Sequence, residues 1–203
     1  GPKSRRMFLD WGVFHVKRSF VQDWRSTKKC VANRNLLLKS SRAEGAELAA
    51  WEEELSASAI RVDVARQEYF KLFEPIFRDV YVSMVSDIAA EPISLEYSRG
   101  WSENGSLKEL LALQRERDRR YGSTQSGPHR ADLLVKAGQR PASDVLSRGQ
   151  QKVLICALKI TQGILHSLLV GDKCIYLIDD LPAELDEKNR KNILALLADL
   201  DCQ

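Results

Sequence analysis

The 203-residue sequence contains no apolar run near the roughly 18 consecutive positions that cross a bilayer, so no membrane span is expected. It also lacks the charged-then-apolar start of a secretory signal. Cysteine is scarce: Cys30, Cys156, Cys174 and Cys202 form no CxxC pair with histidines nearby. That argues against zinc and for a reduced, cytoplasmic protein whose cysteines act as small hydrophobes. Histidine is scarcer still, with only His15, His129 and His166. His166 falls in a helical pattern among apolar residues and reads as packing, and His129, just before a strand, reads as structural rather than catalytic. The phosphate-cradling loop GxxxxGK[ST] is absent too. Gly100 and Gly105 have that spacing but are followed by Ser106-Leu107, and Gly122 and Gly127 are followed by Pro128-His129, so neither pair supplies the lysine.

What is present is an ordinary globular balance, 44% hydrophobic and 29% charged. A chain of this length can bury about 70% of its unfolded surface, enough for one sizeable core or two small ones. The formal net charge of +3 hides a segregation. Residues 1–42 carry 11 Lys/Arg against 2 Asp/Glu, residues 43–96 carry 4 against 12, residues 97–152 carry 11 against 6, and residues 153–203 carry 5 against 8. Such blocks are either charged faces with different partners or helix faces that pair with one another. The first residues open no recognisable domain, Gly1-Pro2 has the form of a cleavage scar, and an amphipathic pattern over 193–200 runs to the end. An excised piece of a longer protein is therefore expected.

Phe20, Trp24, Val31 and Leu38 recur at helical spacing and predict a helix from Ser19 to about Lys39, basic on its other face. After a polar stretch, Leu48, Trp51, Leu55, Ala59, Val62, Ala65, Tyr69, Leu72 and Phe73 form a long apolar seam, a packing stripe that should end at Glu74 because Pro75 starts a new helix running to about Ile88. These two antiparallel helices predict an arm or small helical lobe. Alternation over 92–99 and 131–136 predicts strands, and Leu107–Tyr121 predicts one helix closed by Gly122. A helix from Arg148 to about Leu169, a loop at Gly171-Asp172, the apolar strand Cys174–Ile178, an acidic turn and a helix from Glu187 make an α/β layout with a parallel sheet.

Two motifs carry chemistry. Asp179-Asp180 follow the strand Cys174–Ile178 at its carboxyl end, where paired carboxylates can hold a metal and polarise water, although many buried strands also leave a core this way. Ser147 and Gln150 stand in capping-box spacing, which by itself only starts a helix well. A Ser hydroxyl, a Gly149 backbone N–H and the positive helix end also make a terminal-phosphate site. The pair, with Glu184-Leu185-Asp186 beyond, resembles the signature motif, Walker B segment and D-loop of ABC-type ATPases.

The opening Gly1-Pro2-Lys3-Ser4-Arg5-Arg6-Met7-Phe8-Leu9-Asp10, the Arg34-Asn35-Leu36-Leu37-Leu38-Lys39 segment and Thr124-Gln125-Ser126-Gly127-Pro128-His129-Arg130-Ala131-Asp132-Leu133 are similar to the RecF family of bacterial recombination mediators. So are Leu146–Gln150, Asp179-Asp180 and Glu184–Asp186. The resemblance covers nearly the whole chain, and it implies that Gly1-Pro2 is native sequence. It implies an α/β fold: part of an ABC/SMC-like ATPase head without its Walker A portion and its C-terminal end, carrying an antiparallel helical lobe. On that basis residues 1–16 would close a head segment, 17–91 form the arm, and 92–203 supply the strands, signature helix and Walker B part.

The same resemblance implies an ATP-dependent dimer on double-stranded DNA and gap junctions, cytoplasmic and nucleoid-associated, helping RecO and RecR load RecA at gaps and stalled forks. Ser147, Arg148, Gly149 and Gln150, with Asp186, would contact ATP held by the other protomer. Asp179 would hold Mg²⁺ and Asp180 position the attacking water, in a slow ATPase that this chain alone could not run. DNA-phosphate candidates are Lys3, Arg5, Arg6, Lys28, Lys29, Arg115, Arg117, Arg119 and Arg120. The alternative is a non-catalytic module whose helical arm binds a protein such as RecR. A transporter nucleotide-binding domain fits less well, since such domains usually carry LSGGQ and lack so long an arm.

Overall fold

The computed structural model describes residues 1–40, 45–85, 92–178 and 187–200. Helices α1 (Pro2–Val16), α2 (Phe20–Lys39) and α3 (Gly45–Met84) come first, then strand β1 (Ile93–Ser98) and the short helices α4 (Leu107–Leu113) and α5 (Arg115–Tyr121). A 3-10 turn, Pro128–Arg130, leads into β2 (Asp132–Ala137), β3 (Arg140–Pro141), α6 (Ala142–Val145), α7 (Arg148–Val170) and α8 (Glu187–Asp199). The chain divides into two compact units, 1–68 with 97–133 and 69–96 with 134–203.

The first unit packs around Cys30 of α2, Leu55 and Ala59 of α3, and Leu107 and Leu111 of α4, flanked by Trp51, Trp101 and Leu110. No element was expected over 1–16, yet α1 forms, with Pro2 in its first turn, where proline's missing N–H has no helical partner to lose. The single helix expected over Leu107–Tyr121 is two, broken at Gln114, whose φ is −91° and ψ 3°. The break leaves helix-end carbonyls free, and the Leu111 carbonyl accepts from the Arg34 guanidinium at 3.0 Å. Gly100 and Gly127 meet beyond it. Gly100 has φ +90°, and a Cβ there would lie 2.5 Å from the Ala131 nitrogen and the Gly127 oxygen.

In the second unit the expected break at Pro75 does not occur, and α3 continues to Met84. Pro75 is exposed, while Tyr69, Phe73, Phe77, Val80 and Met84 continue the buried face in phase across it. The Tyr69, Phe73, Phe77 and Tyr81 rings stack in sequence with centroids 5.8, 6.3 and 5.7 Å apart. An interior proline costs about 3 kcal/mol, and burying each large apolar side chain returns about 1.5–3, so the packed residues beyond Pro75 outweigh it. Leu72, counted in the seam on sequence, is half exposed.

The sheet is small, in the order β1-β2-β3, with β2 and β3 antiparallel and Lys136 opposite Pro141. No parallel sheet is found among the described residues, and residues 174–178 are not a strand. The helix α7 is long and apolar enough to cross a membrane by length and composition, although Lys159, Thr161 and Gln162 interrupt its apolar runs. Val153, Leu154, Ala157, Ile160 and Leu165 bury one of its faces.

Candidate functional site

The α7 N-terminus has the geometry its sequence predicts. Ser147 caps it, its Oγ accepting from the Gln150 N–H at 3.3 Å while Gln150 Oε1 accepts from the Ser147 N–H at 2.9 Å. Ser147, Arg148 and Gln150 are exposed and Gly149 is half-buried. The cap uses a Ser147 lone pair and leaves its proton available, so capping and anion binding are compatible. First-turn amides without helical acceptors, the helix dipole and the Arg148 side chain together favour a phosphate.

Downstream, the expected strand Cys174–Ile178 has no partner strand among the described residues, and a strand without a ladder is not one. Two of its side chains nevertheless reach α7. The Tyr176 hydroxyl donates to the Ile160 carbonyl of α7 at 3.2 Å, and the Cys174 thiol approaches the Gly163 carbonyl at 3.7 Å. A Cβ on Gly163 would collide with the Tyr176 hydroxyl. Ile175 and Leu177 face outward, 70% and 94% exposed. Asp179, Asp180 and Asp186 lie outside the described residues, and no cluster of metal-ligating side chains occurs among the described ones.

The segment 124–132 is held by cations from three helices. Arg34 of α2, fully buried, donates to Glu52 at 3.1 Å, Asp118 at 2.6 Å, Thr124 Oγ1 at 2.9 Å and the Leu111 carbonyl. Asn35 Oδ1 accepts from both the N–H and the hydroxyl of Thr124 at 2.7 Å. Arg66 of α3 donates to the Pro128 carbonyl at 2.8 Å and grips both oxygens of Asp10 at 2.8 and 3.0 Å. Burial alone would lower the Arg66 pKa, but Asp10 and Tyr97 together outweigh it and the pKa rises. On α1, Arg6 donates to the Ala131 carbonyl at 2.8 Å and Arg5 pairs in a fork with Asp132 at 3.0 and 2.6 Å. His129 is therefore structural here: Nε2 donates to the Thr124 carbonyl at 2.9 Å, and burial pushes its pKa down to about 4.

The nine DNA-phosphate candidates divide on this basis. Arg5 and Arg6 serve the segment just described, and Arg115 forks onto buried Glu52, Nε donating to Oε1 at 3.0 Å and Nη2 to Oε2 at 2.5 Å. Arg119 pairs with Glu116 at 3.2 Å on the surface, where such pairs are worth little. Lys28 lies 5.1 Å over the Trp24 ring and Lys29 6.0 Å over Trp51. Lys3, Lys28, Lys29, Arg117, Arg119 and Arg120 are exposed. Sequence reasoning missed Arg34 and Arg66, although both sit in phase with buried helix positions, Arg34 between Cys30 and Leu38 and Arg66 beside Val62 and Ala65.

No protein-family model matches the chain. Over 202 residues it is 44% identical to the DNA replication and repair protein RecF of Pseudomonas fluorescens, and 43% identical to RecF of Pseudomonas entomophila. Each match covers 100% of this chain and 54% of the relative, so the chain spans about half the length of the curated relatives it matches. Among solved structures, that of the recombination mediator protein RecF-ATP in the RecFOR pathway superposes with a TM-score of 0.83 at 26% identity, covering 97% of this chain and 55% of that one. The RecF-ATPrS structure of the same pathway gives 0.82, covering 99% and 56%. Over its whole length this chain is thus similar to about half of a RecF protein and shares the ABC/SMC-like fold of that family.

Proposed function

We propose that the complete protein is an ATP-dependent, DNA-binding RecF that acts in DNA replication and recombinational repair, assisting RecO and RecR in loading RecA at gaps and stalled forks. The observation that carries this reading is the exposed, Ser147-capped start of α7 in a chain that superposes on RecF-ATP. In this reading Ser147, Arg148, Gly149 and Gln150 bind the terminal phosphate of a nucleotide held by a second protomer, and Asp186 lies at that dimer interface. Asp179 holds Mg²⁺, which supplies charge neutralisation at the phosphates, and Asp180 positions water. The 203 residues contain no GxxxxGK[ST] loop, so the rest of the protein must supply the primary ATP contacts.

The test is Ser147→Arg in the complete protein. The new side chain fills the space meant for the partner's phosphate, so ATP-driven dimerisation followed by light scattering is lost while ATP binding to the monomer persists. Equal dimerisation of variant and parent would contradict the assignment.

A further inference from the structure

A cleft of about 440 Å³ opens within the first unit among α1, α2, α3 and the Pro128–Arg130 turn, and none of its lining residues belongs to the α7 site. Its size falls in the range of ligand clefts, about 300–1,000 Å³. Met7, Trp24, Val31, Val62 and Pro128 give it apolar walls. Lys3, Lys28 and Arg6 add positive charge, and Lys3 and Lys28 are exposed. Asp10, the one carboxylate lining it, is already committed to Arg66 and to the Trp24 indole N–H, 3.1 Å away.

Two residues of the lining, Thr27 and His129, each carry a polar atom buried without a hydrogen-bond partner among the described residues, Thr27 Oγ1 and His129 Nδ1. Thr27 is 6% exposed. A buried hydroxyl without a partner costs about 1–3 kcal/mol, which is unusual enough to need a reason. The state of His129 follows from its other nitrogen. The Thr124 carbonyl can only accept, so Nε2 carries the proton, and the low pKa keeps the ring neutral. His129 Nδ1 is therefore a bare acceptor that needs a donor.

We infer that this cleft binds a nucleotide unit: a flat heterocycle with N–H donors against the apolar walls, His129 Nδ1 and Thr27, with its phosphate toward Lys3, Lys28 and Arg6. A fatty acid would satisfy the walls and the cations but offers His129 no donor. An acidic peptide side chain offers neither a flat body nor a ring N–H. The nucleotide comes either from the free pool or from a DNA strand whose end or unpaired base enters the cleft.

The experiment uses the complete protein without ATP or Mg²⁺, so neither outcome bears on the α7 reading. Thymidine 5′-monophosphate and a 5′-phosphorylated 12-nucleotide strand are titrated against the parent, Thr27→Met, which fills the cleft without adding charge, and Lys28→Glu on its exposed rim. Binding is expected to weaken at least tenfold in Thr27→Met and at least threefold in Lys28→Glu, with unchanged circular dichroism. If Thr27→Met does not fold, Lys28→Glu alone decides. A strand source predicts that removing the terminal base weakens the oligonucleotide at least fivefold and that the free nucleotide binds more weakly. A free-pool source predicts that the nucleotide binds as tightly as the strand and that the base removal is silent. The inference is overturned if both probes bind the parent more weakly than about 1 mM, or if their binding ignores both substitutions.

Discussion

Replacing Arg34 by Met tests whether the buried cation holds the first unit together. Met keeps the helix propensity and much of the volume but removes every donor to Asp118 Oδ2, to Thr124 Oγ1 and to the Leu111 carbonyl. The two acids fare differently. Glu52 retains its fork from Arg115, whereas Asp118 keeps only the Gln125 N–H at 3.2 Å, so one fully buried carboxylate is stranded. Removing one partner of a buried pair costs about 3–5 kcal/mol, a large part of the roughly 5–15 that hold a domain folded. Arg61→Met is the control: its 2.6 Å pair with Asp23 involves an arginine 54% exposed, and such a pair is worth about 1 kcal/mol at most. All four tryptophans lie in the first unit, so urea unfolding followed by tryptophan fluorescence reports on it. Adding Asp118→Asn to Arg34→Met neutralises the stranded charge and should recover more than about 1 kcal/mol. A cost for Arg34→Met no greater than for Arg61→Met, or an Asn that only adds to the loss, would refute this account.

His129 predicts a pH effect with a definite sign. Its folded pKa of about 4 lies below the ordinary 6.5, pushed down by burial, aided by Arg130 and Arg6 and opposed by the Thr124 hydrogen bond and Asp118, so the unfolded chain binds a proton first and stability falls as pH drops from 6.5 towards 4. The parent should lose about 2 kcal/mol more than His129→Gln between pH 7 and pH 5 in urea midpoints, and parallel losses would sink the argument. Pro75→Ala restores an N–H donor to the Lys71 carbonyl on the exposed side of α3, and should stabilise the chain by about 1–2 kcal/mol after the entropy that proline removes from the unfolded state is counted. A lowered thermal midpoint by circular dichroism would show that α3 needs the proline.

Periodic apolar residues made α2, the first part of α3, β1, β2 and α7 legible, because a buried face repeats with the period of its element. What escaped was set by residues such a count passes over. Arg34, Glu52, Asp63 and Arg66 occupy buried phases of α2 and α3, and charged residues there register as breaks in a stripe until their partners are known. Pro75 was read through its local preference, yet tertiary burial of Phe77, Val80 and Met84 decided the outcome. The split at Gln114 depends on Arg34, far away in sequence. At Cys174–Ile178 an unbroken apolar run predicts a buried strand, but Ile175 and Leu177 are exposed and no ladder forms among the described residues, since pairing is a property of two segments and an apolar run of one. The capping box at Ser147 is local in sequence and space, and there the reading and the geometry coincide. The pairing of Asp179 with Asp180 falls outside the described residues.

The basic opening of the chain shows why a segment's charge overstates its outward field. Of its cations, Arg34 is fully buried and Arg5 and Arg6 turn onto Asp132 and the Ala131 carbonyl. Lys17 reaches Glu68 at 2.7 Å, and Arg61 and Arg66 of α3 return to Asp23 and Asp10 of the same opening segment. The acidic and basic blocks therefore pair with one another over much of their length. The cations left exposed among the described residues of this segment are Lys3, Arg18, Arg25, Lys28, Lys29 and Lys39, and two of them, Lys3 and Lys28, line the cleft. A nucleic-acid strand bound to this unit would meet those exposed cations before Arg5, Arg6 or Arg34, so its salt dependence should reflect a handful of phosphate contacts and not the whole formal charge of the block.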